Sequence, residues 1–246
     1  MNRKIEDNEG LIRPSKGKTD PGVGPDAILV MIRSELEYLV KLSKNVASFD
    51  MGFFNLYQAK FNQKISYTLM GPFLGAPQSV MGMEKIIALG AKRIWVLGWC
   101  GSLQHDLRIG DLVIPSSAVS EEGTSQHYPI GEEIRATDEE LNGMLARALQ
   151  EKGHSFKRGI VWTTDAPYRE TPAKVKEYQN RGVLAVEMEM SALMTLAVYR
   201  KVKIAGLLVV SDEMSDLKWH TGFTSLLLKQ RSRFAGELLL DLVESL

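Results

Sequence analysis

The sequence predicts a single α/β domain in which a twisted, mixed β-sheet lies between helices. Across 246 residues, apolar runs of strand length alternate with segments whose apolar residues recur at helical spacing, and no linker interrupts the alternation. The clearest case is a helix after Glu189 followed by Ile204–Val210, a run apolar enough to form a strand buried on both faces. The apolar face of that helix consists of Ala192, Leu193, Leu196 and Ala197.

The first half of the chain begins with a strand and a helix. We expect Ala27–Ile32 to be a buried strand, followed by a helix with one apolar face. Pro77–Leu89 is a second predicted helix, because proline is tolerated in a first turn and Gly90 can end it. Two further strands are expected at Ser66–Met70 and Arg93–Leu97.

The second half adds three helices. Asp138–Lys152 carries apolar residues on one face and meets Gly153 at its end. A further helix is expected to begin at Thr171-Pro172, because threonine is a common N-cap residue and proline is tolerated in the first turn. Thr224–Leu246 is the last predicted helix and should pack over the sheet.

Residues 1–25 differ from the rest and are predicted to be an extended N-terminal arm. They are rich in charge, glycine and proline, and Pro14, Pro21 and Pro25 break any helix. The arm is expected to lie across a neighbouring subunit, and residues 26–246 form the domain.

The composition narrows the function classes. Lys and Arg together number 30, as do Asp and Glu, so no global field favours nucleic acid or a membrane surface as a partner. The single cysteine, Cys100, cannot form an internal disulfide, and the first residues lack the apolar core of a signal peptide. We therefore expect a cytoplasmic protein. No run of apolar residues is long enough to span a bilayer.

Three carboxylates stand where a ligand is expected. Glu187 and Glu189 precede the predicted helix, and Asp212 follows the strand after it. Ligands of open α/β sheets gather at the carboxyl ends of strands, and a carboxylate is costly to bury there without a partner. Each acid alone is more often a helix cap or half of a surface ion pair. Their spacing favours a site.

At these residues the chain resembles the superfamily of nucleoside phosphorylases and nucleosidases. Several segments match in the family's order, from about residue 26 to the end. Each motif alone is a weak indication, and the resemblance rests on the order and spacing of all the motifs together. The matching segments are Gly71–Pro77, Gly90–Lys92, Gly98–Leu103, Gly110–Ile114, Thr164–Tyr168, Val186–Glu189 and Ser211-Asp212.

The resemblance implies roles for the residues near the sugar and the base. Asp212 matches the catalytic acid that shares a proton with the five-membered ring of a purine, and Ser211 belongs to the same purine-type signature. Glu189 matches the acceptor of ribose hydroxyls, and Met188 lies against the sugar. Glu187 should point away from Glu189 in an extended segment, so we assign it a supporting role in substrate binding.

Phosphate binding is where the chain departs from the family. Glycine turns at Gly71 and Gly98 let a backbone approach a ligand, and Gly71 is assigned to phosphate. However, Val96 stands where the phosphorylases place an arginine, and Trp99 stands where they place serine or threonine. Arg33 could supply a replacement charge for phosphate. It could equally well be an ordinary exposed residue in the first turn of a helix.

Four other residues are candidates for the pocket. Asp165 and Tyr168 fall in the loop that, by the resemblance, faces the base. Pro167 replaces the phenylalanine that the family usually has there, so Tyr168 or Trp99 would stack on the base instead. Thr124 and His127 lie in a polar loop that could reach the sugar, and Thr124 is also a candidate for phosphate. The histidines and the cysteine lack metal-ligand spacing, so no metal is predicted.

The predicted function is cleavage of a nucleoside N-glycosidic bond with phosphate as co-substrate, a purine being preferred to uracil. No cofactor is expected. Hydrolysis is the alternative within enzymes, and a non-catalytic nucleoside-binding or storage protein is the alternative outside them. Uridine is not excluded as a substrate. The resemblance also implies a homo-oligomer, a trimer or hexamer, with a dimer as a further option.

Overall fold

A computed structural model describes residues 10–43, 46–61, 64–131 and 133–246. The strands are β1 (Asp26–Val30), β2 (Val46–Asp50), β3 (Asn55–Phe61), β4 (Lys64–Gly71), β5 (Arg93–Ser102), β6 (Leu112–Glu121), β7 (Lys157–Thr164), β8 (Ala185–Glu187), β9 (Lys203–Glu213) and β10 (His220–Thr221). The helices are α1 (Arg33–Leu42), α2 (Ala76–Leu89), α3 (Glu139–Glu151), α4 (Pro172–Asn180), α5 (Met190–Arg200) and α6 (Leu226–Glu244).

All these strands belong to one mixed sheet, which confirms the predicted fold class. The order is β10-β9-β6-β7-β8-β5-β1-β4-β3-β2, and β9 also pairs with β5 in parallel. The second pairing closes β5, β9, β6, β7 and β8 into a ring, from which β1, β4, β3 and β2 extend as an open sheet. The carboxyl ends of β5 and β9 are therefore adjacent, with the short strand β8 beside β5.

The sheet has a hydrophobic core on each side. In β1, Ala27 and Leu29 pack with α2 and α5, whereas Ile28 and Val30 pack with α1, α3 and α6. Successive side chains of a strand point to opposite faces, so a strand between two helical layers must be apolar throughout. This explains why β1 and most of β9 read as continuous apolar runs.

Several predicted boundaries agree with the structure. The Asp138 carboxylate accepts a hydrogen bond from Leu141 N at 3.0 Å at the start of α3. Thr171 Oγ1 accepts one from Lys174 N at 3.4 Å at the start of α4. Gly90 follows α2 with φ of 129°, a conformation that favours glycine.

The predicted turn from Gly98 to Gly101 is wrong, because β5 continues through it to Ser102. Gly98 pairs with Leu208 and Gly101 with Asp212, so the backbone stays extended. The predicted arm lies partly outside the described residues; within residues 10–25 the structure contains neither helix nor strand. Among the described residues, no helix is both long and apolar enough to cross a bilayer.

Candidate active site

A cavity of about 540 Å³ opens where β5, β8 and β9 end. Four carboxyl side chains line it, and most of the remaining lining is apolar or aromatic. No lysine, arginine or histidine is among the described residues that line it. The carboxyl residues are Glu170, Glu187, Glu189 and Asp212.

Glu187 is fully engaged by the protein. Its Oε2 accepts hydrogen bonds from the backbone N–H groups of Glu189 and Met190, both at 2.7 Å, and the Thr163 hydroxyl donates to its Oε1. These amides lie at the N-terminus of α5, where backbone donors lack partners within the helix. Burial raises the pKa of Glu187, although these hydrogen bonds act in the opposite direction. The supporting role in substrate binding expected for Glu187 stays a prediction.

Glu189 lies at the N-terminus of a different helix. Its Oε1 accepts a hydrogen bond from Gly75 N at 2.6 Å, at the residue that precedes α2. Gly75 has φ of 78°, which favours glycine and turns its N–H towards the carboxylate. Burial, and then the charge of Glu187, raise the pKa of Glu189. The negative charge of Glu187 therefore opposes ionisation of Glu189.

A β-bulge sets the position of Asp212. Cys100 pairs with Val210 and Gly101 pairs with Asp212, so Ser211 is an extra residue in β9. The missing side chain of Gly101 makes room, since a Cβ there would lie 3.0 Å from Asp212 Oδ2. The bulge therefore directs the Asp212 carboxyl into the cavity.

Both carboxyl oxygens of Asp212 accept hydrogen bonds from side chains. The Ser211 hydroxyl donates to Oδ1 at 2.6 Å, and the indole N–H of Trp219 donates to Oδ2 at 2.9 Å. Ser211 is buried, but Trp219 is 62% exposed, so one of the two donors stands at the mouth of the cavity.

Glu170 lies beside Asp212 and was not predicted. Burial, and then the charge of Asp212, raise the pKa of Glu170 to about 7. Its backbone N–H donates to Pro167 O at 3.3 Å, at the end of a short 3₁₀ turn that precedes α4. In the described part of the chain, its carboxyl has neither a hydrogen bond nor an ion pair.

Aromatic side chains form one wall of the cavity. Trp99 stacks on Phe223 with ring centroids 6.0 Å apart, and Trp219 meets the edge of Phe223 at 6.2 Å. The Trp99 indole N–H donates to Ser232 Oγ in α6 at 2.7 Å. Trp99 thus lines the same cavity as Glu189, but its polar group is turned towards α6. Tyr168 is 97% exposed at the rim.

The cavity lining includes seven of the predicted site residues: Trp99, Tyr168, Glu187, Met188, Glu189, Ser211 and Asp212. The lining does not include Gly98, whose missing side chain faces Leu208 and Met31 instead. It does not include Gly71 either. A Cβ on Gly71 would lie 2.2 Å from Val30 O, so this glycine serves a close approach of two backbones.

Four more predicted residues lie outside the lining. Asp165 Oδ2 accepts a hydrogen bond from Gly123 N at 2.8 Å and so joins two loops. Thr124 N donates to Glu122 Oε2 at 2.6 Å, and His127 is exposed in the adjacent 3₁₀ turn. Arg33 is exposed and lines a separate cavity of about 560 Å³. The two cavities share Met31, Phe73 and Leu74.

Glu122 was also missed, although it organises the loop that holds Thr124. Its carboxylate accepts from the hydroxyls of Ser120 and Ser191 at 2.7 and 2.9 Å, and from Ser125 N at 3.0 Å. Burial alone would raise the pKa of Glu122, but these hydrogen bonds outweigh it and the pKa is lowered. The described residues contain no cluster of three or more ligating side chains that could hold a metal.

Comparisons with known proteins identify the family of this chain. A sequence profile of the phosphorylase superfamily matches residues 25–244. The chain belongs to the phosphorylase superfamily. A DeoD-type purine nucleoside phosphorylase of Bacillus cytotoxicus is 32% identical over 166 residues, which cover 67% of this chain and 68% of that protein. A guanosine phosphorylase of Halorubrum lacusprofundi is 29% identical over 130 residues, which cover 53% of this chain and 54% of that protein.

Solved structures of the superfamily share the fold. Purine nucleoside phosphorylase of Toxoplasma gondii, in complex with immucillin-H, aligns with a TM-score of 0.82 and 22% identity over 91% of each chain. Uridine phosphorylase of Vibrio fischeri aligns with a TM-score of 0.81 and 20% identity, over 91% of this chain and 93% of that one. The match to guanosine phosphorylase spans about half of that relative's length, 54%.

Proposed function

We propose that this superfamily member cleaves the N-glycosidic bond of a purine nucleoside by phosphorolysis, releasing free base and sugar 1-phosphate. The observation that carries the proposal is that one cavity holds both Asp212 and the pair of Glu187 and Glu189. We name Glu187, Met188 and Glu189 the ribose end of the cavity, and Glu170, Asp212 and Trp219 the base end. The named relatives that cleave purine nucleosides support the choice of substrate.

The chemistry follows from the charges that develop. When the bond from C1′ to the base nitrogen breaks, its electron pair goes to the base and positive charge develops on the sugar. Asp212 delivers a proton to the leaving base, and the carboxyls of the ribose end stabilise the sugar. A phosphate oxygen forms the new bond to C1′ and gives up its proton, and uptake of one proton restores the acid form of Asp212 for the next cycle. The incoming base displaces the exposed indole of Trp219 from Asp212.

Phosphate needs cations, which the described cavity lining lacks. Val96 is buried in β5 and cannot replace the arginine that the resemblance implies. Arg33 lies in the first turn of α1, whose N-terminal residue Ile32 makes no side-chain cap. An uncapped helix N-terminus beside a guanidinium suits an anion. We therefore assign phosphate to Arg33, in the cavity that adjoins the main one.

Hydrolysis is a second candidate, favoured by the absence of basic residues from the described lining. In that reaction water takes the place of phosphate, and the roles of Asp212 and Glu189 are unchanged. The homo-oligomer and the cytoplasmic location expected from the sequence stay predictions.

A panel of purine nucleosides and uridine, with and without phosphate, tests the proposal. Free base and sugar 1-phosphate should form together, only when phosphate is present, and Arg33→Ala should raise the KM for phosphate. Free sugar formed without phosphate would establish hydrolysis. Nucleoside binding with no turnover under either condition would indicate a binding protein.

A further inference from the structure

Glu122 is a buried carboxylate that does not line the main cavity and that the proposed reaction does not use. Among the described residues it forms no ion pair. Four neutral donors hold it instead: the hydroxyls of Ser120 and Ser191 donate to Oε1, and the backbone N–H groups of Thr124 and Ser125 donate to Oε2. Burial alone would raise the pKa of Glu122, but the hydrogen bonds outweigh it and lower the pKa, so the carboxyl is ionised at neutral pH.

Stability alone is a weak reason for a charge at this position. A carboxylate that has lost its hydration is costly even when donors surround it, and an apolar side chain of similar size would avoid that cost. The positions of the donors show what the charge joins. Ser120 belongs to β6, the two amides belong to the segment that follows it, and Ser191 belongs to α5.

Ser191 extends the contact from Glu122 to the ribose end. It is fully buried in the first turn of α5, where its hydroxyl donates to Glu122 and its backbone N–H donates to Thr163 Oγ1, both at 2.9 Å. The Thr163 hydroxyl in turn donates its own proton to Oε1 of Glu187. Glu187 accepts the backbone N–H of Glu189. A continuous series of hydrogen bonds therefore runs from Glu122 to Glu189.

A second contact joins the same segment to α5 one turn further along. The Thr195 hydroxyl donates to Ser191 O at 2.8 Å, and Ser125 Oγ lies 3.0 Å from Thr195 Oγ1. Arg135 Nε donates to the same Thr195 oxygen at 2.9 Å. Residues 191 and 195 are four apart and so lie on one face of the helix. The segment after β6 thus holds that face at two successive turns.

We propose that Glu122 is a positioning residue of the ribose end: through Ser191 and Thr163 it holds the start of α5, so that Glu189 meets the ribose hydroxyls. The inference rests on the proposed function, because it requires a ribonucleoside whose hydroxyls donate to Glu189. The effect is geometric. Hydrogen bonds weaken steeply as they depart from linearity, so a small rotation of the first turn of α5 weakens the contact with the sugar.

Ser191→Ala tests the inference, with Ser120→Ala as its matched control. Each change removes one hydroxyl that donates to Oε1 of Glu122, but only Ser191 joins that carboxylate to α5. Neither serine lines the main cavity. In Ser191→Ala, kcat/KM for a purine ribonucleoside should fall by about 3- to 10-fold, the net scale of one hydrogen bond, and kcat/KM for the 2′-deoxyribonucleoside should fall less. Ser120→Ala should keep the wild-type ratio of the two values.

That ratio separates positioning from a loss of folded protein. Fewer folded molecules lower the apparent kcat for both substrates alike and leave their ratio unchanged. In a Glu189→Ala background, Ser191→Ala should not change the ratio further, because both changes act through one contact with the sugar. Glu122→Gln keeps the shape but turns an N–H group towards some of the donors, so it should lower the ratio at least as far as Ser191→Ala.

The outcomes separate this inference from the proposed function. If wild type cleaves purine nucleosides but treats ribo- and 2′-deoxyribonucleosides alike, the inference is wrong and the proposed function stands. The same holds if Ser191→Ala or Glu122→Gln keeps the wild-type ratio, or if Ser120→Ala lowers it equally. If wild type releases no base from any purine nucleoside, the proposed function itself fails. A ratio lowered by Ser191→Ala and Glu122→Gln, but not by Ser120→Ala, supports both.

Discussion

The two ends of the cavity hold their carboxyl groups in different ways. At the ribose end, Glu187 and Glu189 are only 5% and 8% exposed, and backbone amides at the starts of α5 and α2 donate to them. At the base end, Asp212 is held by the side chains of Ser211 and Trp219, and Glu170 by no donor among the described residues.

This difference separates a preorganised end from an adjustable one. Backbone amides of packed helices cannot move independently of the fold, so the ribose end is set when the protein folds. Side-chain donors such as the exposed indole of Trp219 can leave when a ligand arrives. We infer that the ribose end provides a fixed platform and the base end adapts to the base.

Asp212→Asn tests the base end and has the largest expected effect. The amide keeps the shape but cannot deliver the carboxyl proton, so turnover of a purine nucleoside should fall by ~10²-fold or more, the scale of positioned acid catalysis. Substrate binding should change far less, because the proton matters chiefly in the transition state. Steady-state kinetics and calorimetry give the two quantities.

Asp216→Asn is the matched control for that variant. Asp216 is an exposed aspartate four residues further along the chain, where it pairs with His220. It should behave like wild type. Turnover that survives Asp212→Asn unchanged would remove Asp212 from the mechanism.

Glu189→Ala tests the ribose end. A carboxylate that accepts hydrogen bonds from ribose hydroxyls contributes roughly 1.5–3 kcal/mol, so kcat/KM for a ribonucleoside should fall by about 10- to 100-fold. The matching 2′-deoxyribonucleoside should be affected less, because it lacks one of the donors. Equal losses on the two substrates would show that Glu189 does not contact the 2′-hydroxyl.

The sequence predicted the preorganised end better than the adjustable one. Glu187 stands next to the helix it caps, so its contacts with the amides of Glu189 and Met190 are local and leave a pattern in the sequence. The contact of Glu189 with Gly75, in contrast, joins distant parts of the chain. The contacts of Glu170 and Trp219 with the cavity depend on where two loops return in space. Neither loop position follows from the spacing of residues. Glu122 was missed for the same reason.

Prediction of the fold from the sequence had a similar limit. Strong apolar periodicity and caps such as Asp138 and Thr171 located most helices and the central strands. The hairpin of β2 and β3 was not predicted, because β2 is only partly buried at the edge of the sheet and its apolar signal is weak. β5 runs through Gly98 and Gly101 because its neighbours fill the space of the missing side chains, a tertiary effect.

Glu187→Ala should affect stability rather than specificity. The change leaves the buried amides of Glu189 and Met190 without their acceptor, which costs roughly 1–3 kcal/mol of unfolding free energy. Urea denaturation would measure this loss. Glu187→Gln is the informative control, because its amide oxygen can still accept from both N–H groups and should recover part of the stability. An unchanged midpoint for Glu187→Ala would contradict the capping role.

The smallest expected effect concerns pH. Burial raises the pKa values of Glu187 and Glu189, and the charge of Glu187 adds to the shift of Glu189, so the native state binds more protons than the unfolded chain between their ordinary range and the raised values. Their contribution to stability is therefore fully present below the ordinary pKa of glutamate and is lost as pH rises through the raised values. Glu189→Gln removes one of these two titrating groups. Urea midpoints measured between about pH 5 and pH 8 should fall less steeply for Glu189→Gln than for wild type. Parallel profiles for the two proteins would mean that the fixed carboxyls of the ribose end titrate alike in the native and unfolded states.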